Sequence, residues 1–114
     1  MSRNNRTIEK CISKLDQHLK PQAFKALCDP SRLQVLCRLV ASTGPVTVSQ
    51  VADCCGVHLS GVSRHLAILR EAGFVKALKQ GREVLYELER KDLTGFLRGL
   101  ADAIDQCHEG CCKK

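Results

Sequence analysis

The sequence predicts a mainly α-helical chain with one small β-hairpin, an α+β fold. Apolar residues recur at helical spacing over most of the chain, which predicts amphipathic helices. Residues 74–88 instead alternate apolar and polar side chains around a glycine-containing turn, as a pair of β-strands does. The length of 114 residues fits one small domain, and no apolar run approaches the roughly 18 residues of a membrane-spanning helix.

The charge and cysteine content restrict the class of partner. Lysine and arginine number 18 against 12 acidic residues, a net charge of +6, which favours nucleic acid or another anionic surface as partner. The polar start MSRNNRTIEK lacks the apolar core of a secretion signal, so we expect a cytoplasmic protein without membrane attachment. In that reducing compartment, eight cysteines indicate soft-metal binding or thiol chemistry rather than disulfides.

The first and last helices each carry an isolated apolar stripe. We expect the first over residues 6–19 and the last over residues 91–106, with a short segment and a helix begun by Asp29-Pro30 between them. The small central part cannot cover both stripes, so we expect the N- and C-terminal helices to form a homodimer. On the Asp29-Pro30 helix, which ends near Ser42, the inward positions are predicted to be Leu33, Leu36, Cys37 and Val40.

Residues 48–73 have the spacing of a helix-turn-helix. Residues 48–55 form the supporting helix, begun by Thr47, and Gly56 supplies the positive φ of the tight turn. The second helix covers residues 59–71 and is closed by Gly73. The apolar positions that join the two helices are Val51, Cys55, Val57 and Val62, and Leu66 and Leu69 also pack inward.

The outward positions of the second helix are suited to double-stranded DNA. Small and hydrogen-bonding side chains can approach base edges and phosphates, whereas the scarcity of aromatics argues against a stacking platform for single strands. The following strands, within residues 74–88, flank a basic tip and are interpreted as a wing that reaches a minor groove. The predicted DNA-binding residues are Ser60, Gly61, Ser63, Arg64, His65, Gln80 and Arg82.

Three motifs, in this order, resemble the arsenical-resistance and metallothionein-repressor (ArsR/SmtB) family. Residues 26–33 (ALCDPSRL) resemble its entry motif, residues 63–75 (SRHLAILREAGFV) its recognition helix, and residues 80–88 its wing. The resemblance covers roughly residues 20–106. It implies a winged helix-turn-helix homodimer that represses transcription and leaves DNA when an inducer binds. The chain is then divided into a dimerisation helix (1–19), the winged domain (20–106) and a cysteine-rich tail (107–114).

Two of the sensor sites known in that family are absent from this sequence. The Cys-x-Cys positions of the supporting helix align with Thr47 and Ser49. The Asp-x-His positions of a zinc site on the last helix align near Arg90 and Asp92, and no histidine pair follows.

The tail offers three thiols instead, at Cys107, Cys111 and Cys112. Thiolates select soft ions, and three of them suit the pyramidal coordination of trivalent arsenic or antimony. The cluster resembles the C-terminal cysteine triad of some arsenite-responsive members. We therefore expect As(III) or Sb(III) as the inducer and no required cofactor.

Several alternatives stay open. Cys37 with Cys107 resembles a persulfide-sensing dithiol of other members, and Cys107 beside His108 is compatible with a cadmium, mercury or zinc site. Cys55 is expected in the core, and Cys11 and Cys28 are expected to be structural. An enzyme is not expected, because no oxyanion loop or orienting third group accompanies the cysteines and histidines. A metal buffer would use the cysteines but would not need the helix-turn-helix.

Overall fold

The computed structural model describes residues 2–56 and 58–107, with the side chains of residues 2–7 and 55 left aside. The described chain forms two compact units. One, here the terminal unit, comprises the residues up to Pro21 and those from Thr94 onward; the other, the central unit, comprises Gln22–Leu93. In chain order the elements are α1 (Ser2–Asp16), α2 (Pro21–Ala26), α3 (Pro30–Ala41), β1 (Val46–Thr47), α4 (Val48–Cys55), α5 (Leu59–Glu71), β2 (Val75–Gln80), β3 (Glu83–Leu88) and α6 (Arg90–Gln106).

Helix α3 begins as the sequence predicts, but it packs through a different face. The Asp29 carboxylate accepts a hydrogen bond from the Arg32 backbone N–H at 2.9 Å, and Pro30 occupies the first turn. The predicted inward set is wrong except for Leu36, because Leu33, Cys37 and Val40 are exposed. Two apolar stripes run along this helix about one residue apart, and α4 and α5 pack against the other stripe. The buried residues are Val35, Leu36 and Leu39.

The helix-turn-helix is formed by local signals and by a small apolar core. Thr47 and Gln50 form a reciprocal capping box at the start of α4, and Gly56 ends this helix with φ of 65°. The predicted inward residues Val51 and Val62 are fully buried; Val57 and the side chain of Cys55 lie outside the described residues. The largest fully buried side chains all come from α3, α4 and α5: Leu39, Leu66, Leu69, Val35, Val51 and Val62.

Helix α5 ends in a Schellman motif, which turns the chain into the sheet. The Phe74 N–H donates to the Leu69 carbonyl at 3.0 Å, and the Gly73 N–H donates to the Arg70 carbonyl at 2.9 Å. Gly73 has φ of 88°, in the left-handed region, so glycine is favoured here as predicted.

The sheet has three antiparallel strands rather than the predicted two. Strand β3 lies in the middle, paired with β2 on one side and with the two-residue β1 on the other. So short a strand gives no alternation to detect, and its register, Val46 opposite Tyr86, depends on tertiary contact. The hairpin strands, predicted over residues 74–78 and 84–88, extend further toward the turn, since Gln80 pairs with Glu83 and only two residues remain in the turn.

In the terminal unit, α1 and α6 pair in antiparallel fashion. The Lys14 Nζ donates to the Gln106 Oε1 at 3.3 Å, and just after α1 the His18 ring would lie 3.0 Å from a Cβ added at Gly99. Helix α1 is displaced from the predicted residues 6–19, because it begins at Ser2 and ends at Asp16. Five large apolar side chains of this unit are exposed in the single chain: Ile8, Ile12, Leu19, Leu97 and Ile104. Among the described residues, no helix is both long and apolar enough to cross a membrane.

Candidate functional site

The N-terminal half of α5 presents a polar face opposite the core. Ser60, Ser63 and Arg64 are exposed and Gly61 is half-buried, whereas Val62 on the opposite side is fully buried. This division follows from the helical period, which places residues three and four apart on one face. Two hydroxyls, a glycine without a side chain and a guanidinium form a surface that a DNA groove can approach closely.

His58 is a contributor that the sequence analysis missed. It is the N-cap of α5, and its Nδ1 accepts a hydrogen bond from the Ser60 N–H at 3.3 Å. The Ser60 Oγ lies 3.0 Å from the same nitrogen. A ring nitrogen that accepts a hydrogen bond from the Ser60 N–H carries no proton of its own. It can therefore only accept from the Ser60 hydroxyl, and His58 thereby orients the Ser60 side chain. Histidine is not among the preferred N-cap residues, and for that reason this cap was not predictable from the residue type.

His65, predicted to bind DNA, is half-buried beside Asp29, whereas Ser60, Ser63 and Arg64 are exposed. Its side chain is only 17% exposed, and its Nε2 lies 3.7 Å from the Asp29 Oδ2. Within the described part of the chain, its Nδ1 is buried without a hydrogen-bond partner. His65 precedes the buried Leu66 and follows Val62 by three positions, so the helical period turns it toward α3. It therefore connects the recognition helix to the cap of α3.

The wing places two of the predicted residues at or beside its tip. Gly81 and Arg82 form the two-residue turn, with Gly81 at φ of 65°, and Gln80 is the last residue of β2. Gln80 and Arg82 are both exposed. On the strands, Lys76 lies opposite Glu87, and its Nζ is 3.5 Å from the Glu87 carboxylate, which partly neutralises the lysine charge. The tip of the wing carries the Arg82 guanidinium.

The predicted thiol triad is described only in part. Cys107 directly follows α6 and is half-buried, with its backbone N–H bonded to the Ala103 carbonyl at 3.0 Å. Its Sγ donates to the Cys11 carbonyl at 3.6 Å. Cys111 and Cys112 lie outside the described residues. Among the residues that are described, no group of three or more Cys, His, Asp or Glu side chains is placed to hold a metal ion.

The remaining cysteines fall in different surroundings. Cys11 is buried, as expected of a structural residue, and Cys28 is exposed with its Sγ bonded to the Lys25 carbonyl at 3.1 Å. Cys37 is exposed, contrary to its predicted inward position, and it shares a groove of about 460 Å³ with Cys54 between α3 and α4. Among the described residues of the central unit, three thiols are thus accessible to solvent reagents, those of Cys28, Cys37 and Cys54.

Known proteins are similar to this chain in both sequence and fold. The family described as a helix-turn-helix domain matches residues 27–76. The "Transcriptional repressor SmtB homolog" of Synechocystis is 32% identical over 102 residues, which are 89% of this chain and 76% of that protein.

Two solved structures are similar over most of the chain. One is described as "Possible transcriptional regulator for arsenical resistance", at 31% identity and a TM-score of 0.62, over 73% of this chain and 83% of that one. The other is a homodimeric winged helix-turn-helix DNA-binding domain from Mycobacterium bovis, at 28% identity and a TM-score of 0.58, over 77% and 82%. The matched domain, the order of the sequence motifs and the exposed polar face of α5 all indicate the same family. The chain therefore belongs to the ArsR/SmtB family of metalloregulated transcriptional repressors, which bind DNA and are not enzymes.

Proposed function

We propose that this chain, as a homodimer, represses transcription at an inverted-repeat operator and leaves it when trivalent arsenic or antimony binds to thiolates at the end of α6. The observation that carries the DNA-binding part is the division of α5 into a buried inner face and a polar outer face. Ser60, Ser63 and Arg64 are exposed on the helix that the sequence motif marks as the DNA reader. Two such helices in successive major grooves lie about one helical turn of DNA apart.

The homodimer is supported by the apolar surface of the terminal unit. Ile12 is 52% exposed on α1 and Ile104 is 55% exposed on α6, and large apolar side chains on a paired set of helices usually mark an interface. The similar Mycobacterium bovis domain is homodimeric. A two-fold axis between two chains also matches the symmetry of an inverted-repeat operator.

The inducer assignment is supported by three cysteines within the last eight residues and by the position of Cys107. Three thiolates neutralise a trivalent ion completely, whereas a divalent ion with three thiolates keeps one negative charge. The end of a helix carries a partial negative charge of its own, so a neutral complex costs less there. This charge balance favours As(III) and Sb(III) over zinc or cadmium. The similarity to a protein described as a regulator for arsenical resistance points in the same direction.

Helix α6 supplies a covalent route from the thiols to the DNA-binding unit. Its first residue, Arg90, donates from Nη2 to the Val40 carbonyl at 2.9 Å, which ties α6 to the last turn of α3. We expect metalloid binding to change the DNA affinity by about 5- to 150-fold, the usual coupling of roughly 1–3 kcal/mol between two sites.

DNA binding is tested by fluorescence anisotropy with a labelled inverted-repeat duplex at several salt concentrations. Arg64→Ala should weaken binding and reduce the slope of log affinity against log salt by about one, because one phosphate contact is lost. Arg98→Ala is the matched control, since it removes an equal charge from an exposed position of α6. Equal losses in the two variants, or none in Arg64→Ala, contradict the assignment of α5.

The inducer is tested with arsenite in the same assay. The wild-type complex should dissociate, and a variant with serine at Cys107, Cys111 and Cys112 should stay bound at the same arsenite concentration. Serine retains a hydroxyl that can replace the Cys107 hydrogen bond, so the fold is spared. Release of the triple variant at the wild-type arsenite concentration refutes the thiol assignment.

A second inducer class is favoured by one observation, the exposure of Cys37. An accessible thiol can react with a persulfide or an oxidant, and Cys37 with Cys107 is the pair that such a signal would use. Release of DNA by a persulfide donor in wild type, but not in Cys37→Ser, is the result that would support this function over arsenite sensing.

A further inference from the structure

The structure brings a fourth cysteine, on the first helix, to the end of the last helix. We infer that Cys11 of α1 is a ligand of the same metalloid site as Cys107, so that the bound ion joins the two helices of the terminal unit. The inference rests on the proposed arsenite or antimonite function and adds a residue to it. Sequence spacing gave no reason to pair these cysteines, because 96 positions separate them.

The observation is a direct contact between the two residues. The Cys107 Sγ donates to the Cys11 carbonyl oxygen at 3.6 Å. The Cys11 thiol is joined to that carbonyl only through Cβ, Cα and the carbonyl carbon, so both cysteines lie at the same place on the α1–α6 pair. The Lys14–Gln106 hydrogen bond joins the two helices close by.

The burial of the two thiols suits a soft ion. Cys11 is 8% exposed and Cys107 is half-buried, so an ion held between them loses most of its water. Thiolate sulfur is the ligand type that compensates a soft ion for that loss. Buried thiols of this kind are poor sites for hard, oxygen-seeking cations such as magnesium or calcium.

The reaction is a ligand exchange without oxidation or reduction. Arsenite enters as As(OH)₃, and the thiols of Cys11, Cys107 and a third cysteine each attack the arsenic. Three As–S bonds replace three As–O bonds, each thiol proton leaves with a hydroxide as water, and three waters are released. The arsenic remains trivalent and the complex is neutral.

This ligand set gives the ion a structural effect that a site within the tail would lack. An ion bound only by tail cysteines makes no bond to α1, whereas one that includes Cys11 links α1 to α6. Both helices carry exposed apolar residues that we assign to the dimer interface. Arsenite would then act on the interface through both helices at once.

The test compares two Cys11 variants with wild type. Cys11→Ala and Cys11→Val remove the sulfur and keep an apolar side chain in a buried position, and Cys28→Ala, at an exposed thiol, is the matched control. Arsenite affinity is measured by titrating the ultraviolet absorption of the sulfur–arsenic bond, with operator affinity as the check on folding. Loss of partners that merely orient a ligand costs about 10- to 100-fold in metal affinity, so loss of a ligand should cost at least about tenfold.

A wild-type measurement covers the case in which both variants misfold. The alkylation rate of Cys11 is followed by peptide mass spectrometry with and without arsenite, and it should fall by at least about tenfold, while the rate of exposed Cys28 is unchanged. Unchanged arsenite affinity in a folded Cys11 variant, or an unchanged alkylation rate in wild type, overturns the inference and leaves the tail site standing. Failure of the wild-type chain to bind arsenite overturns the proposed inducer and this inference together.

Discussion

The Asp29 carboxylate caps α3 and also lies beside His65 of α5, and two different substitutions of Asp29 separate these two roles. Its Oδ2 accepts the Arg32 N–H at 2.9 Å and lies 3.7 Å from the His65 Nε2. Asp29→Ala removes both interactions, whereas Asp29→Asn keeps an oxygen that can cap the helix and removes only the charge. Asparagine and aspartate are nearly equal as N-caps.

The magnitudes follow from the two distances and from exposure. Loss of the cap should cost about 1 kcal/mol, within a range of roughly 0.5–2 kcal/mol. The contact with His65 exceeds hydrogen-bond length, and the Asp29 side chain is 37% exposed, so solvent screens the pair. Such a pair contributes about 0–1 kcal/mol. We therefore expect Asp29→Ala to destabilise by about 1–2 kcal/mol and Asp29→Asn by less than about 1 kcal/mol.

The assay is thermal unfolding by circular dichroism at one fixed protein concentration, because dimerisation makes the midpoint depend on concentration. For a chain of this length, each kcal/mol lowers the midpoint by about 4 °C. A double-mutant cycle with His65→Ala isolates the coupling energy between Asp29 and His65. Equal destabilisation by Asp29→Ala and Asp29→Asn refutes the capping argument, and a cycle coupling well above 1 kcal/mol refutes the screening argument.

Two further predictions test the core and the end of the recognition helix. Leu66→Ala should lower the free energy of unfolding in urea by about 2–5 kcal/mol, because Leu66 is fully buried. Leu59→Ala, at an exposed position, should lower it by less than about 1 kcal/mol. Similar losses at both positions contradict the assigned inner face. Gly73→Ala should cost about 1–2 kcal/mol from its φ of 88° alone, since an added Cβ meets nothing within 4 Å. Gly44→Ala, equally unobstructed but without a positive φ, should be nearly neutral, and a neutral Gly73→Ala refutes the strain.

Features that depend on a few neighbouring residues were predictable from the sequence. The Asp29-Pro30 start, the Thr47 cap, the Gly56 turn and the Gly73 closure each need only a local hydrogen bond or a positive φ. The bounds of α4 and α5 therefore match the prediction. The family motifs have the same local character, and they sufficed to identify a DNA-binding repressor.

Choices between equivalent faces were decided only by tertiary packing. Helix α3 carries two apolar stripes, and periodicity selected the one containing Leu33 and Cys37, whereas the core uses Val35 and Leu39. The same limit applies to α5, where His65 lies at the edge of the polar face and tertiary packing places it beside Asp29. A helical period gives the angle between residues, but not which angle faces the rest of the protein.

The sequence by itself determined the family, the reading helix, the glycine that closes it and the presence of a thiol-rich tail, because each depends on adjacent residues. The tertiary structure alone decided that β1 joins the sheet, that His58 orients Ser60, and that Cys11 lies beside Cys107. The β1 pairing and the Cys11–Cys107 contact join residues far apart in the chain, and their geometry exists only once the helices and strands have packed. The proposed role of Cys11 as a ligand rests on the second of these contacts, which the spacing of the cysteines does not indicate.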